Sequence, residues 1–199
     1  MRTTSGGEQK AYEMNISLFA AFGGSVETVP AYIGAHQLLL AFQGVPALYL
    51  RAILASQNDL DAVESTGRTR TINRGKLHAT DVHNDITDNN SLSHAVFTTL
   101  TRTLEIRRQQ PAFSPAANQE VMPSGPQLLI ISRSATQQKV LVIASFSATM
   151  QSVSLTNNID PDLLNTPDVK DLLTQTIYAA DLELQLNPYQ VLWLELERL

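Results

Sequence analysis

Gln43-Gly44-Val45-Pro46-Ala47-Leu48-Tyr49-Leu50 follows a stretch in which Ala31, Tyr32, Ile33, Ala35, Leu38, Leu39, Leu40 and Phe42 are apolar on nearly every side of a helical projection. Pro30 suits the first turn of that helix and Gly44 supplies a C′ stop, so the spacing predicts a largely buried helix from Pro30 to Phe42. Val45 to Leu50 is an apolar run without alternation, as expected of a strand covered on both faces in a parallel sheet. A buried helix joined tightly to a buried strand is half of a βαβ unit, which makes the first part of the chain an α/β layer.

Downstream, Gln57-Asn58-Asp59-Leu60 and Thr66-Gly67-Arg68-Thr69-Arg70-Thr71-Ile72-Asn73-Arg74 lie in a long polar connection from Arg51 to Asn90 whose only helical signal is short, from Leu60 to Ser65. Loops of that length inside a compact domain are usually functional or disordered, and residues 84–90, rich in Asn and Asp, read as mobile. A second helix then places Leu92, Val96, Leu100 and Leu104 four residues apart, with Phe97 flanking the stripe and Arg102, Arg107 and Arg108 toward solvent or a helix C-terminus; Pro111 ends it.

Beyond Pro111 the period becomes that of strands. Leu128 to Ser132, Lys139 to Phe146, Gln151 to Leu155, the alternation of Leu182, Leu184 and Leu186 with Glu183 and Gln185, and Val191 to Leu196 predict a small antiparallel β domain. Asn157 to Asp171, rich in Asn, Asp and Pro, reads as an inserted loop between two of its strands.

With 199 residues, 43% hydrophobic and 17% charged, the chain can bury a core of one domain or two small ones. A net charge of −5 gives no electrostatic reason to expect a nucleic-acid or anionic-membrane partner. No cysteine is present, which removes disulfides and thiolate metal sites and makes the cytoplasm the default compartment. Met1 to Lys10 lacks the apolar run of a secretory signal, no later run reaches the roughly 18 apolar residues of a membrane span, and in a fragment the first residue says nothing about a signal in the parent. His36, His78, His83 and His94 show no metal-ligand spacing and read as solvated loop histidines, so neither a metal nor another cofactor is expected.

Taken together, the order of parts resembles the last quarter of a sucrose phosphorylase-like enzyme of glycoside hydrolase family 13. Tyr12-Glu13-Met14-Asn15-Ile16-Ser17-Leu18-Phe19 resembles the segment after barrel strand seven, Pro30 to Phe42 helix seven, Gly44 to Leu50 strand eight, and Leu92 to Arg108 helix eight. Pro111 to Leu199 resembles the family's β domain, including the closing Pro188-Tyr189-Gln190-Val191-Leu192-Trp193-Leu194. The Gly-Arg-x-Arg-x-Ile-Asn-Arg pattern from Gly67 to Arg74 is similar to the subgroup of sucrose-, sucrose 6-phosphate- and glucosylglycerate-type phosphorylases, without choosing among them. The implied fold class is α+β: the C-terminal remnant of a (β/α)8 barrel over residues 1–110 (last strand, two helices and the long loop 51–90), then an antiparallel β domain over 111–199.

In such barrels the active site is built from loops at the C-terminal ends of the strands, so the resemblance implies that the loop after Leu50 opens onto the catalytic pocket. Arg68, Arg70 and Arg74 lie there, and a guanidinium fork holds phosphate or carboxylate bidentately. The resemblance makes Arg70 the first choice for contacting phosphate or the acceptor sugar, followed by Arg68 and Arg74; the alternative is that the three arginines hold the loop together by pairing with Asp59, Asp61, Glu64 or backbone carbonyls. Asn58 and Asp59 are either sugar contacts or helix N-caps, the cap being the plainer account. Tyr49 and Trp193 read as core residues rather than sugar-stacking platforms.

Retaining glycosyl transfer needs two carboxyl groups about 5 Å apart. By resemblance the nucleophile, the acid/base and a third Asp follow strands four, five and seven, all of which would precede Met1. Glu13, Glu27, Asp81, Asp85 and Asp88 show no spacing that suggests a dyad, so no catalytic residue is expected in the chain. The function expected is the C-terminal part of a retaining α-glucosyl phosphorylase, inactive alone, whose parent uses phosphate and an α-glucoside. The alternative is a non-catalytic structural or weak carbohydrate-binding module. A barrel lacking most of its strands leaves apolar faces and strand edges uncovered, so self-association through exposed barrel surfaces is expected too.

Overall fold

The computed structural model describes residues 2–10, 14–158, 167–181 and 183–198. Tyr12, Glu13 and Leu182 of the sequence reading, and most of the expected insertion after Asn157, lie outside the described residues. The chain forms two compact units, the first made of Met1–Val26 and Leu48–Phe97, the second of Glu27–Ala47 and Thr98–Leu199. This division does not follow residue 110, because residues 27–47 cluster with the C-terminal half.

In the second unit, helix α2 (Val29–Ala41, after the short α1, Leu18–Ala21, of the first unit) starts one residue ahead of Pro30 and buries Tyr32, Gly34, His36, Leu38, Leu40 and Ala41. Burial on several sides follows from its nearly all-apolar composition, as the sequence predicts. Phe42 is extended and ends the helix, and Gly44 takes the left-handed region at φ 109°. His36 corrects the sequence reading: it is buried in this helix rather than solvated in a loop. Its ring nitrogen Nδ1 bonds the Tyr32 carbonyl oxygen at 2.8 Å, and the two rings lie 4.5 Å apart. Burial lowers the His36 pKa, against the backbone hydrogen bond that raises it, and burial pushes the Tyr32 hydroxyl up to about 12.

The sheet of this unit is wholly antiparallel. Following the N-terminal pair β1 (Arg2–Thr3) and β2 (Gln9–Lys10), its strands are β3 (Asn118–Met122), β4 (Leu128–Ala135), β5 (Gln138–Ser145), β6 (Gln151–Ser154), β7 (Asp168–Asp171), β8 (Ile177–Ala179), β9 (Glu183–Leu186) and β10 (Val191–Arg198). Six of them lie in the order β3-β4-β5-β10-β7-β8, and β6 pairs with β9. β10 runs centrally, with Leu192 opposite Ile143 and Leu194 opposite Leu141. One face carries a core of Ile130, Leu141, Ile143, Val153, Leu155, Leu186, Leu192 and Leu194. On the other, Trp193 is fully buried 4.6 Å from the Phe113 ring. Both faces of β5 are covered, which is why Val140 to Ala144 reads as a continuous apolar run rather than an alternation.

Two buried charges tie the unit together. Arg133 donates to the carbonyl oxygens of Ala41, Ser114 and Asn118 and lies 5.8 Å from the Phe113 ring centroid; burial, then the charge of Arg107, lowers its pKa. Asp171 accepts from the backbone N–H groups of Leu173, Thr174 and Trp193, linking β7 to β10. That strand corrects the reading of Asn157 to Asp171 as one loop: residues 168–171 are paired, with Val169 and Asp171 inward.

The first unit is mostly short helices: α1, α3 (Leu50–Ile53), α4 (Leu60–Thr66) and α5 (Ala79–Thr87). Residues 51–90 are therefore not one loose connection, although the helical signal at Leu60 to Ser65 is borne out by α4. The stretch expected to be mobile begins inside α5. Helix α6 (Leu92–Arg108) matches the predicted second helix, buries Val96 and Leu100, and ends before Pro111. α7 is the short helix Leu155–Asn158.

The strand predicted from Val45 to Leu50 does not form. Residues 45–49 have no regular structure, Leu50 opens α3, and Val45, Tyr49 and Leu50 are 82%, 58% and 59% exposed. A parallel strand takes its backbone hydrogen bonds from neighbours on either side, and no described segment pairs with this one. The exposure of Tyr49 also corrects its reading as a core residue. Among the described residues no helix is long and apolar enough to cross a membrane.

Candidate functional site

The segment after Leu50 folds into a set of turns held by side-chain to backbone bonds. Asn58 Oδ1 accepts the Ser17 backbone N–H at 2.7 Å, Gln57 Nε2 donates to the Gly24 carbonyl at 2.6 Å, and Ser93 Oγ donates to that of Leu54 at 3.0 Å. Asp59 caps α4 by accepting from Ala62 N–H at 2.9 Å, while its own N–H donates to the Ile72 carbonyl at 2.7 Å. The plainer account of Asp59 is thus the structural one, and Asn58 pins α1 instead of capping a helix.

These turns enclose an open cleft of about 390 Å³ lined by Arg51, Leu54, Ala55, Ser56, Gln57, Asn58, Asp59, Leu77, Val82, Asp85 and Ser93. Its volume lies in the range of small-molecule sites. Ala55, buried in the wall, holds φ at 50°, a left-handed conformation that costs a non-glycine residue about 1–2 kcal/mol. Arg51 Nη1 donates to the Gly75 carbonyl at 2.7 Å, and Arg51 Nε is buried without a hydrogen-bond partner.

Arg68, Arg70 and Arg74 share one short element, the 3₁₀ turn Thr69–Asn73, with Arg68 at its N-cap and Arg74 at its C-cap. All three are exposed, and none lines the cleft. The turn is fixed by Thr71 Oγ1 donating to the Arg68 carbonyl at 2.6 Å, and by Asn73, whose Nδ2 reaches the Ile16 carbonyl at 3.4 Å. Asn73 is in this sense a structural loop residue.

Arg51 is the cation that the motif reading passed over. Its signal in the sequence is only that it is the first charged residue after the apolar run, and nothing local distinguishes it from a solvated arginine. Of the acids considered, Glu13 lies outside the described residues, Glu27, Asp81, Asp85 and Asp88 are exposed, and only Asp85 reaches the cleft. Among the described residues no group of three or more His, Cys, Asp or Glu side chains is arranged to hold a metal ion.

No family model matches the chain. It is 31% identical over 194 residues to a glucosylglycerate phosphorylase of Escherichia coli (strain K12), a match covering 95% of this chain and 33% of that protein. It is 29% identical over 195 residues to a protein of the same name from Spirochaeta thermophila, covering 92% of the chain and 33% of that protein. Among solved structures it is similar to AmyP in complex with maltotriose (TM-score 0.69, 14% identity, 87% of this chain and 36% of that one). It is similar also to Bacillus licheniformis trehalose-6-phosphate hydrolase (TM-score 0.67, 14% identity, 94% and 42%). At such identities the structural likeness shows a shared fold, a mixture of helices with an antiparallel sheet. Along nearly its whole length, then, the chain is a relative of proteins named glucosylglycerate phosphorylase, and it spans about a third of their length.

Proposed function

We propose that this chain is the C-terminal portion of a retaining α-glucosyl phosphorylase, with glucosylglycerate as the first glucoside to test. The parent enzyme transfers the glucosyl group to inorganic phosphate, releasing glycerate and forming glucose 1-phosphate through a covalent glucosyl-enzyme. The observation that supports this reading is the 31% identity over 194 residues to a protein of that name. Residues 1–110 are the end of the barrel and residues 111–199 its C-terminal β domain. Arg70, with Arg68 and Arg74 on the same anchored turn, supplies contacts to phosphate or the acceptor. By the family resemblance the nucleophile and the acid/base lie outside these 199 residues, which are therefore inactive alone.

The experiment exchanges the matching third of the Escherichia coli relative for this chain and follows glucose 1-phosphate release. The chimera is expected to turn over glucosylglycerate with phosphate, and the 199-residue chain to show no turnover. Arg70→Ala in the chimera should raise KM for phosphate by about tenfold or more, the weight of a lost charge-assisted contact. Turnover by the isolated chain, or an inert but folded chimera, would sink the proposal.

A further inference from the structure

Three backbone carbonyls at the end of the arginine-bearing turn are held from one side. That of Ile72 accepts the Asp59 N–H at 2.7 Å, that of Asn73 the Tyr49 hydroxyl at 3.4 Å, and that of Gly75 an N–H of Arg51 Nη1 at 2.7 Å. The donors all come from residues 49–59, so this segment grips the strip 72–75 along its length. Glycine at 75 is part of the fit. A Cβ built there would run into Asp59 Oδ2, and that carboxylate cannot swing away, because its Oδ1 caps α4 through the Ala62 N–H. Arg51 shares the cleft lining with Asp59 and Asp85, so its charge has acids nearby while Nη1 is committed to the strip.

The turn needs such support. Thr69–Asn73 is a five-residue 3₁₀ segment, whose hydrogen-bond geometry is poorer than that of an α-helix, and no residue in it is fully buried. It nevertheless carries Arg70, with Arg68 and Arg74 at its two caps. A planar guanidinium holds an oxyanion by orientation as well as by charge, so a displaced turn weakens the contact even with every arginine present.

We propose that Arg51, Tyr49 and Gly75 are positioning residues for the arginine turn: they fix the strip 72–75, and through it the direction in which Arg70 presents its guanidinium, without touching the ligand themselves. The inference rests on the phosphorylase reading for the role of Arg70.

In the chimera, Arg51→Gln should raise KM for phosphate about three- to tenfold, the weight of one lost hydrogen bond, and leave kcat within about twofold. Arg51→Lys keeps a donor for the Gly75 carbonyl and should recover most of the loss. Gly75→Ala leaves Arg51 intact and should raise KM in the same way, which it would not do if Arg51 were itself a ligand contact. In an Arg70→Ala background Arg51→Gln should add less than about twofold, because its effect runs through Arg70. Tyr49→Phe, which removes a single exposed hydroxyl, carries the same cycle should Arg51→Gln fail to fold. Hydrogen exchange on the full chain reads the clamp without turnover. The Thr71 and Arg74 amides, bonded to the carbonyls of Arg68 and Thr71, should exchange about three- to tenfold faster in Arg51→Gln while those of β5 do not change. Additive losses in the cycle, an unchanged KM in the folded variants, or unchanged exchange at Thr71 and Arg74 overturns the assignment. Arg70→Ala without effect on KM instead removes the role of Arg70, and the positioning role with it.

Discussion

Gly34 sits in the middle of α2 with open backbone against the turn that leads into β10. A Cβ built there would run into the carbonyl oxygen of Tyr189 and lie 3.7 Å from Val191 Cγ2. Alanine is the better helix former by about 1 kcal/mol, but the contact is with backbone that cannot rotate away. We therefore expect Gly34→Ala to lower stability by about 1–3 kcal/mol, as overpacking does elsewhere, read by thermal unfolding. Two residues on, His36 has a pKa held below its ordinary 6.5 mainly by burial. On acidification the unfolded imidazole takes up its proton first, so the unfolded state binds more protons and stability rises with pH in that window. His36 thus adds nothing to the pH slope above 6.5 and costs stability progressively as pH falls below it. The midpoint of unfolding measured against pH should drop more steeply below that value in the native chain than in His36→Gln.

At the scale of elements, α4 shows how one residue holds a turn that composition alone would leave loose. Asp59 caps the helix through Ala62 N–H and joins the cap to Ile72, while Gly67 closes the other end in the left-handed region at φ 65°. Asp59→Ala should cost about 0.5–2 kcal/mol, the worth of an N-cap, seen as a lower unfolding midpoint. It should also loosen the Thr69–Asn73 turn that carries Arg70, seen as faster amide exchange there. The helices α2, α4 and α6 and the strands β4, β5, β6, β9 and β10 were legible because each writes a local pattern into the chain, an apolar face, an alternation or, in β5, an unbroken apolar run. β7 was not, because Asp168, Lys170 and Asp171 carry the composition of a loop, and Asp171 becomes a buried strand residue only through donors supplied by β10 and the following turn.

At the scale of the whole molecule, the second unit has a two-faced sheet with a continuous core, whereas the first buries little beyond Phe19, Ala52, Leu54, Ala55 and Val96 while exposing Met14, Leu18, Tyr49, Leu50 and Leu60. Exposed apolar side chains in such number favour a covering partner. In keeping with the proposed barrel remnant we expect the purified chain to self-associate. Sedimentation should show species heavier than the monomer that shift with concentration, and Tyr49→Lys with Leu50→Lys should move them toward monomer. A monodisperse monomer at high concentration would remove this expectation.

The candidate site divides along the same line. The sequence by itself determined the relationship to the phosphorylases, the arginine-bearing segment from Gly67 to Arg74, the two long helices and the antiparallel character of the C-terminal half, because these depend on local pattern and on motif order. Only the tertiary structure decided that Val45 to Leu50 is an exposed connection, that His36 is buried, that Asp59 is a cap, and that Arg51 lines a cleft together with Asp59 and Asp85. Each of those depends on what lies across from the residue: a strand needs neighbours to accept its hydrogen bonds, and a charge is compensated or stranded according to what the rest of the chain places beside it.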